Sequence, residues 1–533
     1  MARSVDAVTV KSWLSDGGEI AFLDVREHGQ YGEGHPFLAT SVPYSRFETA
    51  VVGLVPNIHA RIVLIDAGDG VAEKAARRAE CLGYRDVNVL VGGVDTWQHA
   101  GYVLFAGVNV PSKTFGEIVE LKRHTPRVTA AELQAMIDRG ERHVIVDGRP
   151  YAEFMRMSIP GAICCPNGEL ALRIGDIVRD PETTIVVNCA GRTRSIIGAQ
   201  TLIDCGVPNR VLALENGTQG WFLAGLELER GARRKHGAGM PPPEQRRPLW
   251  ERARKLAQAR GVAFVSRHDV EAWLGTTERT TYLLDVRSPE EFTGGHAPAA
   301  VNAPGGQLIQ ATDQWVGVKG ARIVLLDDDG VRAPVVAQWL RQLGHEACVL
   351  DGKAPDGGLA AAAGLERASS PPRFALPDFA TITAAALAAR TQAALILDVR
   401  SSTAYRAGHI EGAAWACRPR LADALPIDRT RPIVVAGEGE VAALAAGEAS
   451  EHGLADVKLL VDGPTEWAAA GLTVVATPLD PPDAACIDYL FFVHDRHDGN
   501  RDAARRYLEW EMGLLAQLDE HEKRLFRVAD PAS

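Results

Sequence analysis

A short apolar strand that ends in aspartate occurs four times along the 533 residues of this chain, and this recurrence limits the fold more than any other feature. The segments are AFLDVRE around Asp24, VIVDGRP around Asp147, YLLDVRS around Asp285 and LILDVRS around Asp398. Each follows a helical stretch and precedes a polar turn carrying an aromatic residue: Tyr31, Phe154, Phe292 and Tyr405. A second apolar strand then arrives at a steady distance, as RIVLIDAG, TIVVNCAG, RIVLLDDD and PIVVAGEG. Its last residues are Asp66, Cys189, Asp327 and Ala436, which lie 42, 42, 42 and 38 residues beyond the first aspartate. A third strand closes each copy at a Gly turn: LVGGVDTW, LENGTQGW, LDGKAPDG and LVDGPTEW. Strands that alternate with helical segments pair in parallel through helical crossovers, so the pattern predicts four α/β domains in tandem.

Composition narrows the function. Hydrophobic residues make up 46% and charged residues 23%, the balance of a globular chain. The formal net charge of −11 argues against a surface built for nucleic-acid phosphates or anionic membranes. No apolar run reaches the roughly 18 residues of a membrane span, and the first residues lack the pattern of a secretory signal. Eight cysteines without paired CxxC spacing suit neither a disulfide framework nor a zinc site. The expectation is a cytoplasmic, reduced, multidomain protein that binds neither nucleic acid nor membrane.

Between the copies lie spacers of different character. Residues 103–126, with VNVPSKTFGE, read as ordered. The Pro/Gly-rich stretch at 231–262 reads as the main boundary, dividing the chain into two pairs of domains. From Arg230 to Arg260 there are ten Lys/Arg against two Glu. That excess reads as a solvated linker helix or as an attractor for an anionic donor or acidic carrier. Residues 500–526 read as one amphipathic helix with Leu508, Met512, Leu515, Leu518 and Phe526 on one face. It would pack on a neighbouring domain or form a dimer contact, leaving monomer and homodimer both open.

One strand end carries chemistry. The strand TIVVN runs into Cys189-Ala190-Gly191-Arg192-Thr193-Arg194-Ser195, after which a helix continues. A strand feeding a tight loop at a helix N-terminus directs main-chain N–H groups and the positive end of the dipole at one spot. A cysteine there is favoured as a thiolate nucleophile. Gly191 permits close backbone approach, Arg192 and Arg194 add positive charge for an anionic sulfur donor, and Ser195 can satisfy a loop donor or cap the helix. The alternative is a buried strand-end cysteine beside two solvated arginines.

These residues resemble the rhodanese-homology family. The LDVR-type strands, the Cys loop and the GG-x-x-x-W-type turns together suggest a tandem array of four such domains, each a five-stranded parallel sheet flanked by helices, followed by a helical tail. The resemblance covers residues 1–105, 127–230, 262–365 and 376–478, with the tail at 479–533. Cys189 to Arg194 is similar to the six-residue catalytic loop of active rhodaneses, one residue shorter than the loop of related phosphatases and arsenate reductases. It implies a sulfurtransferase in which Cys189 takes the outer sulfur of thiosulfate or a low-molecular-weight persulfide and yields it to a thiol or cyanide. Cys189 and Arg194 would be catalytic. Ala190, Gly191, Arg192, Thr193, Ser195 and Arg149 would bind substrate, and no metal or organic cofactor is implied. Asp66, Asp327 and Ala436 mark three silent copies that would support structure, shape the substrate site or dock a partner. The competing reading is a sulfur-relay protein fed by a protein donor or carrier.

Several other residues invite two readings. Asp147 and Arg149 would tie down neighbouring loops, and Glu153 lies at the expected cleft mouth or starts a helix. Cys165, beside Cys164, would resolve a persulfide or merely fill a strand, and Trp221 would wall the pocket or belong to the core. Lys113 would reach the cleft from the spacer or remain solvated. Cys81, Cys205, Cys348, Cys417 and Cys486 read as inert in apolar surroundings. His494, His497 and Asp498 resemble a metal tract only superficially.

Overall fold

The computed structural model describes residues 2–237, 239–354, 357–367, 372–390, 394–491 and 500–528. Four sheets of five parallel strands are present, and counting strands within each copy the order across every sheet is 1-5-4-2-3. A two-stranded antiparallel sheet, pairing His409–Ile410 with Val474–Val475, accompanies the fourth copy. The central strands are buried along their length, Thr184–Asn188 entirely so, which is why they read as continuous β-branched runs rather than alternating ones.

The recurring aspartate has a structural role in every copy. Arg149 donates from Nε and Nη2 to the two carboxylate oxygens of Asp147 at 2.9 and 2.7 Å, and from Nη2 to the Met157 carbonyl at 2.6 Å. Arg26, Arg287 and Arg400 repeat this brace on Asp24, Asp285 and Asp398, each reaching a glycine carbonyl at 2.7 Å. A contact shared by four copies, three of them without the cysteine, belongs to the fold. Arg149, expected to bind substrate, is engaged in holding the strand end to the loop that follows.

The chain divides into two compact units, and the division differs from the expected one. One unit comprises Met1–Ser12, Ala21–Val108 and Pro371–Phe491, and so contains the first and fourth copies. The other comprises Trp13–Ile20, Asn109–Ser370 and Phe492–Ser533, with the second and third copies. In the first unit, buried Arg418 of the fourth copy donates to both carboxylate oxygens of Glu48 in the first copy at 2.7 Å. In the second unit, the basic stretch forms helix Pro243–Ala259, whose Ala253 packs with Ala171 and Leu172 of the second copy and Val331 and Val335 of the third. That apolar contact makes 231–262 a joint within a unit rather than a boundary.

The expected single tail helix is two, Arg501–Gln517 and Glu520–Leu525. Asp519 breaks it by accepting the Glu522 N–H in a capping box. The inner face of the longer helix is Ala503, Ala504, Tyr507, Leu508, Glu511 and Leu514, whereas Met512 is exposed.

Candidate active site

Cys189 closes the buried strand Thr184–Asn188 and is itself only 2% exposed. The helix Thr193–Asp204 starts four residues later. Among the described residues, the main-chain N–H groups from Ala190 to Arg194 have no acceptor, so the loop presents free donors at the N-terminal end of a twelve-residue helix. The Gly217–Leu223 helix pins the loop from the other side. Thr218 donates its N–H to the Cys189 carbonyl at 2.8 Å, and Gln219 to the Ala190 carbonyl at 3.2 Å. Gly217 is obligatory here, because at its φ of 53° a Cβ would lie 2.2 Å from the Cys189 carbonyl oxygen. The Ser195 hydroxyl lies 2.7 Å from the Arg192 carbonyl, and Asn167 Nδ2 donates to the Arg194 carbonyl at 2.8 Å.

The two loop arginines do different things. Arg192 donates to both oxygens of Glu117 at 2.7 and 2.9 Å and to Glu120 at 2.5 Å, so its charge is directed into the spacer helix Val110–Arg123. Arg194 meets Glu153 in a two-pronged contact at 2.9 Å on each arm and lies 3.4 Å from Gln307 Oε1, a side chain of the third copy. Burial disfavours the Arg194 charge, yet Glu153, Cys189 and Asp147 more than compensate and raise its pKa above the ordinary guanidinium value. Arg194 is thus the loop arginine in electrostatic contact with Cys189.

Two distant segments complete the surroundings. The spacer helix approaches so closely that a Cβ on Gly116 would lie 2.9 Å from the Thr193 side chain. From the same helix Lys113, which is 6% exposed, points its ammonium to the Tyr507 hydroxyl and lies 3.7 Å from Glu511 Oε1. From the tail helix, Glu511 accepts the Thr193 hydroxyl at 2.9 Å.

The rhodanese-like domain family matches this chain four times, at residues 6–100, 129–224, 266–354 and 383–470. The chain belongs to the rhodanese family. A solved structure of a thiosulfate sulfurtransferase from Pseudomonas aeruginosa is 41% identical, covers 98% of this chain and 99% of its own, and superposes with a TM-score of 0.88. A Mycobacterium tuberculosis protein named "Putative thiosulfate sulfurtransferase SseB" is 25% identical over 38% of this chain and 78% of its own length. A helix-turn-helix-type transcriptional regulator from the same organism is 36% identical over 110 residues; these are 21% of this chain, which spans only 47% of the regulator. Together these similarities support sulfurtransferase chemistry in general terms.

Against this rhodanese frame the other residues sort themselves. Lys113 lies beside the loop and is buried. Glu153 is the partner of Arg194. Trp221 is a core residue, packed with Phe154 and Leu214 and donating to the Glu227 carbonyl at 2.9 Å. Cys164 and Cys165 fall in two separate apolar clusters, and burial pushes the Cys164 thiol up to about 12 and the Cys165 thiol well above its usual value. Burial likewise raises Cys205 and Cys348 to about 12 and moves Cys417 and Cys486 upward. Cys81 departs from expectation in being exposed. His494, His497 and Asp498 lie outside the described residues. Among the described residues no group of three or more His, Cys, Asp or Glu could hold a metal, and no helix is long and apolar enough to cross a membrane.

The sequence missed Glu117, Glu511, Gln219 and Gln307. Glu511 left one signal: it is a charged residue inside the inner stripe of the tail helix.

Proposed function

We propose that this chain is a sulfurtransferase that moves sulfane sulfur through a persulfide on Cys189, in the domain at 127–230. The observation that carries the reading is the buried Cys189 at the foot of a loop whose N–H groups lack acceptors. The thiolate attacks the outer sulfur of thiosulfate or of a low-molecular-weight persulfide, and sulfite or a thiol leaves with the electron pair of the broken S–S bond. The loop N–H groups and Arg194 then stabilise the Cys189 persulfide anion until a thiol or cyanide removes its outer sulfur. No step calls for a metal or an organic cofactor. A reducing, cytoplasmic setting fits eight free cysteines.

Small molecules fit this site better than a protein donor does. Cys189 is 2% exposed, and the tail helix stands over its loop, so a partner's cysteine would have to enter a covered pocket. The first and fourth copies remain available for docking a carrier, and the third supplies Gln307.

Intact-protein mass spectrometry after incubation with thiosulfate, and separately with glutathione persulfide, tests the reading. Wild type should gain about 32 Da per sulfur atom, Cys189→Ser should gain none, and cyanide or glutathione should remove the gain. If folded, reduced wild type gains no sulfur from either donor, small-molecule transfer is excluded and the partner-fed relay remains.

A further inference from the structure

The pocket over the Cys189 loop contains polar atoms that the fold leaves unsatisfied. Glu511 is 1% exposed and is the only charged member of the buried face of its helix. Its Oε1 is engaged by Thr193 and stands near Lys113. Its Oε2 has no hydrogen-bond partner among the described residues. That oxygen faces the loop, since a Cβ on Gly191 would lie 2.9 Å from it, 3.6 Å from the Tyr507 ring and 3.9 Å from Gln219 Nε2. Gln219 is 8% exposed, and neither its amide nitrogen nor its amide oxygen has a hydrogen-bond partner among the described residues.

Leaving a buried polar group unpaired carries a desolvation penalty, and a role in binding or catalysis is one reason a native structure keeps such a group. A carboxylate oxygen can only accept, so its incoming partner must bring a hydrogen. A neutral thiol does so. The unprotonated sulfite and cyanide anions and the sulfonate end of thiosulfate do not, and each would meet a negative charge.

We propose that Glu511 sets the acceptor specificity of the Cys189 site by taking the proton of a neutral thiol. This rests on the persulfide reading above. In the step, the acceptor R–SH gives its proton to Glu511 Oε2 while its sulfur forms a bond to the outer sulfur of the Cys189 persulfide anion. The Cys189 Sγ–S bond breaks and its electron pair stays on Sγ as the thiolate. Glu511 returns the proton to the departing R–S–S⁻, so one thiol and one enzyme persulfide become one hydropersulfide and one enzyme thiolate. Lys113 balances the Glu511 charge in the resting site, and Gln219 holds the polar part of the acceptor. The cyanide anion carries no proton to remove and bypasses Glu511, so the cyanide route is read at a pH above the ionisation of hydrogen cyanide.

The test compares two discharge routes in the full-length chain, loaded beforehand with thiosulfate or glutathione persulfide. Glu511→Gln should slow discharge by glutathione at least about tenfold, the low side of general-base contributions. Cyanide discharge and thiosulfate loading should be unchanged or faster, because a negative charge has gone. The pH dependence of thiol discharge should also steepen in the variant, because without Glu511 only the ionised thiolate reacts. An equal fall in both routes would make Glu511 structural, and no change in either would remove it from the reaction; both outcomes overturn the proposal. Should Glu511→Gln fail to fold by thermal melting, Glu511→Asp, which withdraws the carboxylate by one methylene, must show the same split. Failure of wild type to load sulfur at all sinks the persulfide reading with this one, whereas failure of the split in loaded protein sinks only the role of Glu511.

Discussion

In the first and third copies a carboxylate of the loop that follows the second long strand takes that loop's own N–H groups, and in the second copy the loop has no such carboxylate. Asp66 accepts the Gly68 N–H on one carboxylate oxygen at 2.8 Å and the Ala72 N–H on the other at 2.9 Å. Asp327 does the same with Gly330 at 2.8 Å and Ala333 at 2.7 Å. Burial, reinforced by Asp329, pushes the Asp327 carboxyl up, so this arrangement is held against an electrostatic penalty. At Cys189 the early loop N–H groups, Gly191 and Arg192 among them, have no acceptor among the described residues, while that of Ser195 goes to the Arg192 carbonyl at 3.1 Å. The same cradle thus exists in a self-filled and an open form, and the loop carboxylates decide which, Asp329 joining Asp327 and Asp69 joining Asp66. The arginine does not decide it. Arg332 stands in the third copy where Arg194 stands in the second, and it meets Glu291 as Arg194 meets Glu153. Its charge is also shared with Glu169, Asp328 and Asp329, all within 2.9 Å.

The sharpest way to break this comparison is to fill the open loop. Cys189→Asp should abolish sulfur loading and turnover, a loss beyond about 10³-fold, because the nucleophile is gone. Its thermal midpoint should hold or rise, since a carboxylate accepting loop N–H groups makes charge-assisted bonds. A fall in the midpoint would show that the loops are not the same cradle. Next in size is Arg332→Met, which leaves Asp329 without its guanidinium and takes one of the cations from Glu169, Glu291 and Asp328, and should cost about 3–5 kcal/mol, read as a lowered denaturant midpoint. Its sulfur loading per folded molecule should match wild type, and a loss of loading would give the third-copy arginine a role that the comparison denies it. The smallest effect concerns acid. Burial alone would raise the Glu291 carboxyl, but Arg332 overrides it and holds it down at about 2. A depressed carboxyl contributes stability above its unfolded value near 4.5, and that contribution disappears as pH falls towards 2. Between pH 5 and 2 wild type should therefore lose on the order of 3 kcal/mol more than Glu291→Gln. Parallel acid profiles would show that the pair contributes nothing.

The four sheets could be read in the sequence because each carries its own strand-Asp-x-Arg signal and its own Gly turn. The Cys loop could be read because its working parts are contiguous from Cys189 to Ser195. Arg149 carried both readings, a substrate contact and a tie between loops. It lies near the site, but its recurrence as Arg26, Arg287 and Arg400 was the visible sign that it braces the fold. Which copies form a compact unit could not be read, because that depends on surfaces such as Arg418 against Glu48 rather than on a Pro-rich stretch. The pocket walls were hidden for a related reason. Gln307 and Glu511 meet the loop only through tertiary packing, and no local spacing connects them, whereas Lys113 could be read as reaching the cleft from the spacer.

The tail helix has a consequence in time. Glu511 lies 318 residues after Thr193, the loop residue it touches. At a synthesis rate of roughly 5–20 residues per second, about half a minute separates the making of the two. During that interval the Cys189 loop exists without Glu511 above it, so a growing or prematurely ended chain has the proposed nucleophile before it has the group proposed to choose what that nucleophile serves. Such a chain would be an unselective donor of sulfur rather than a slow enzyme.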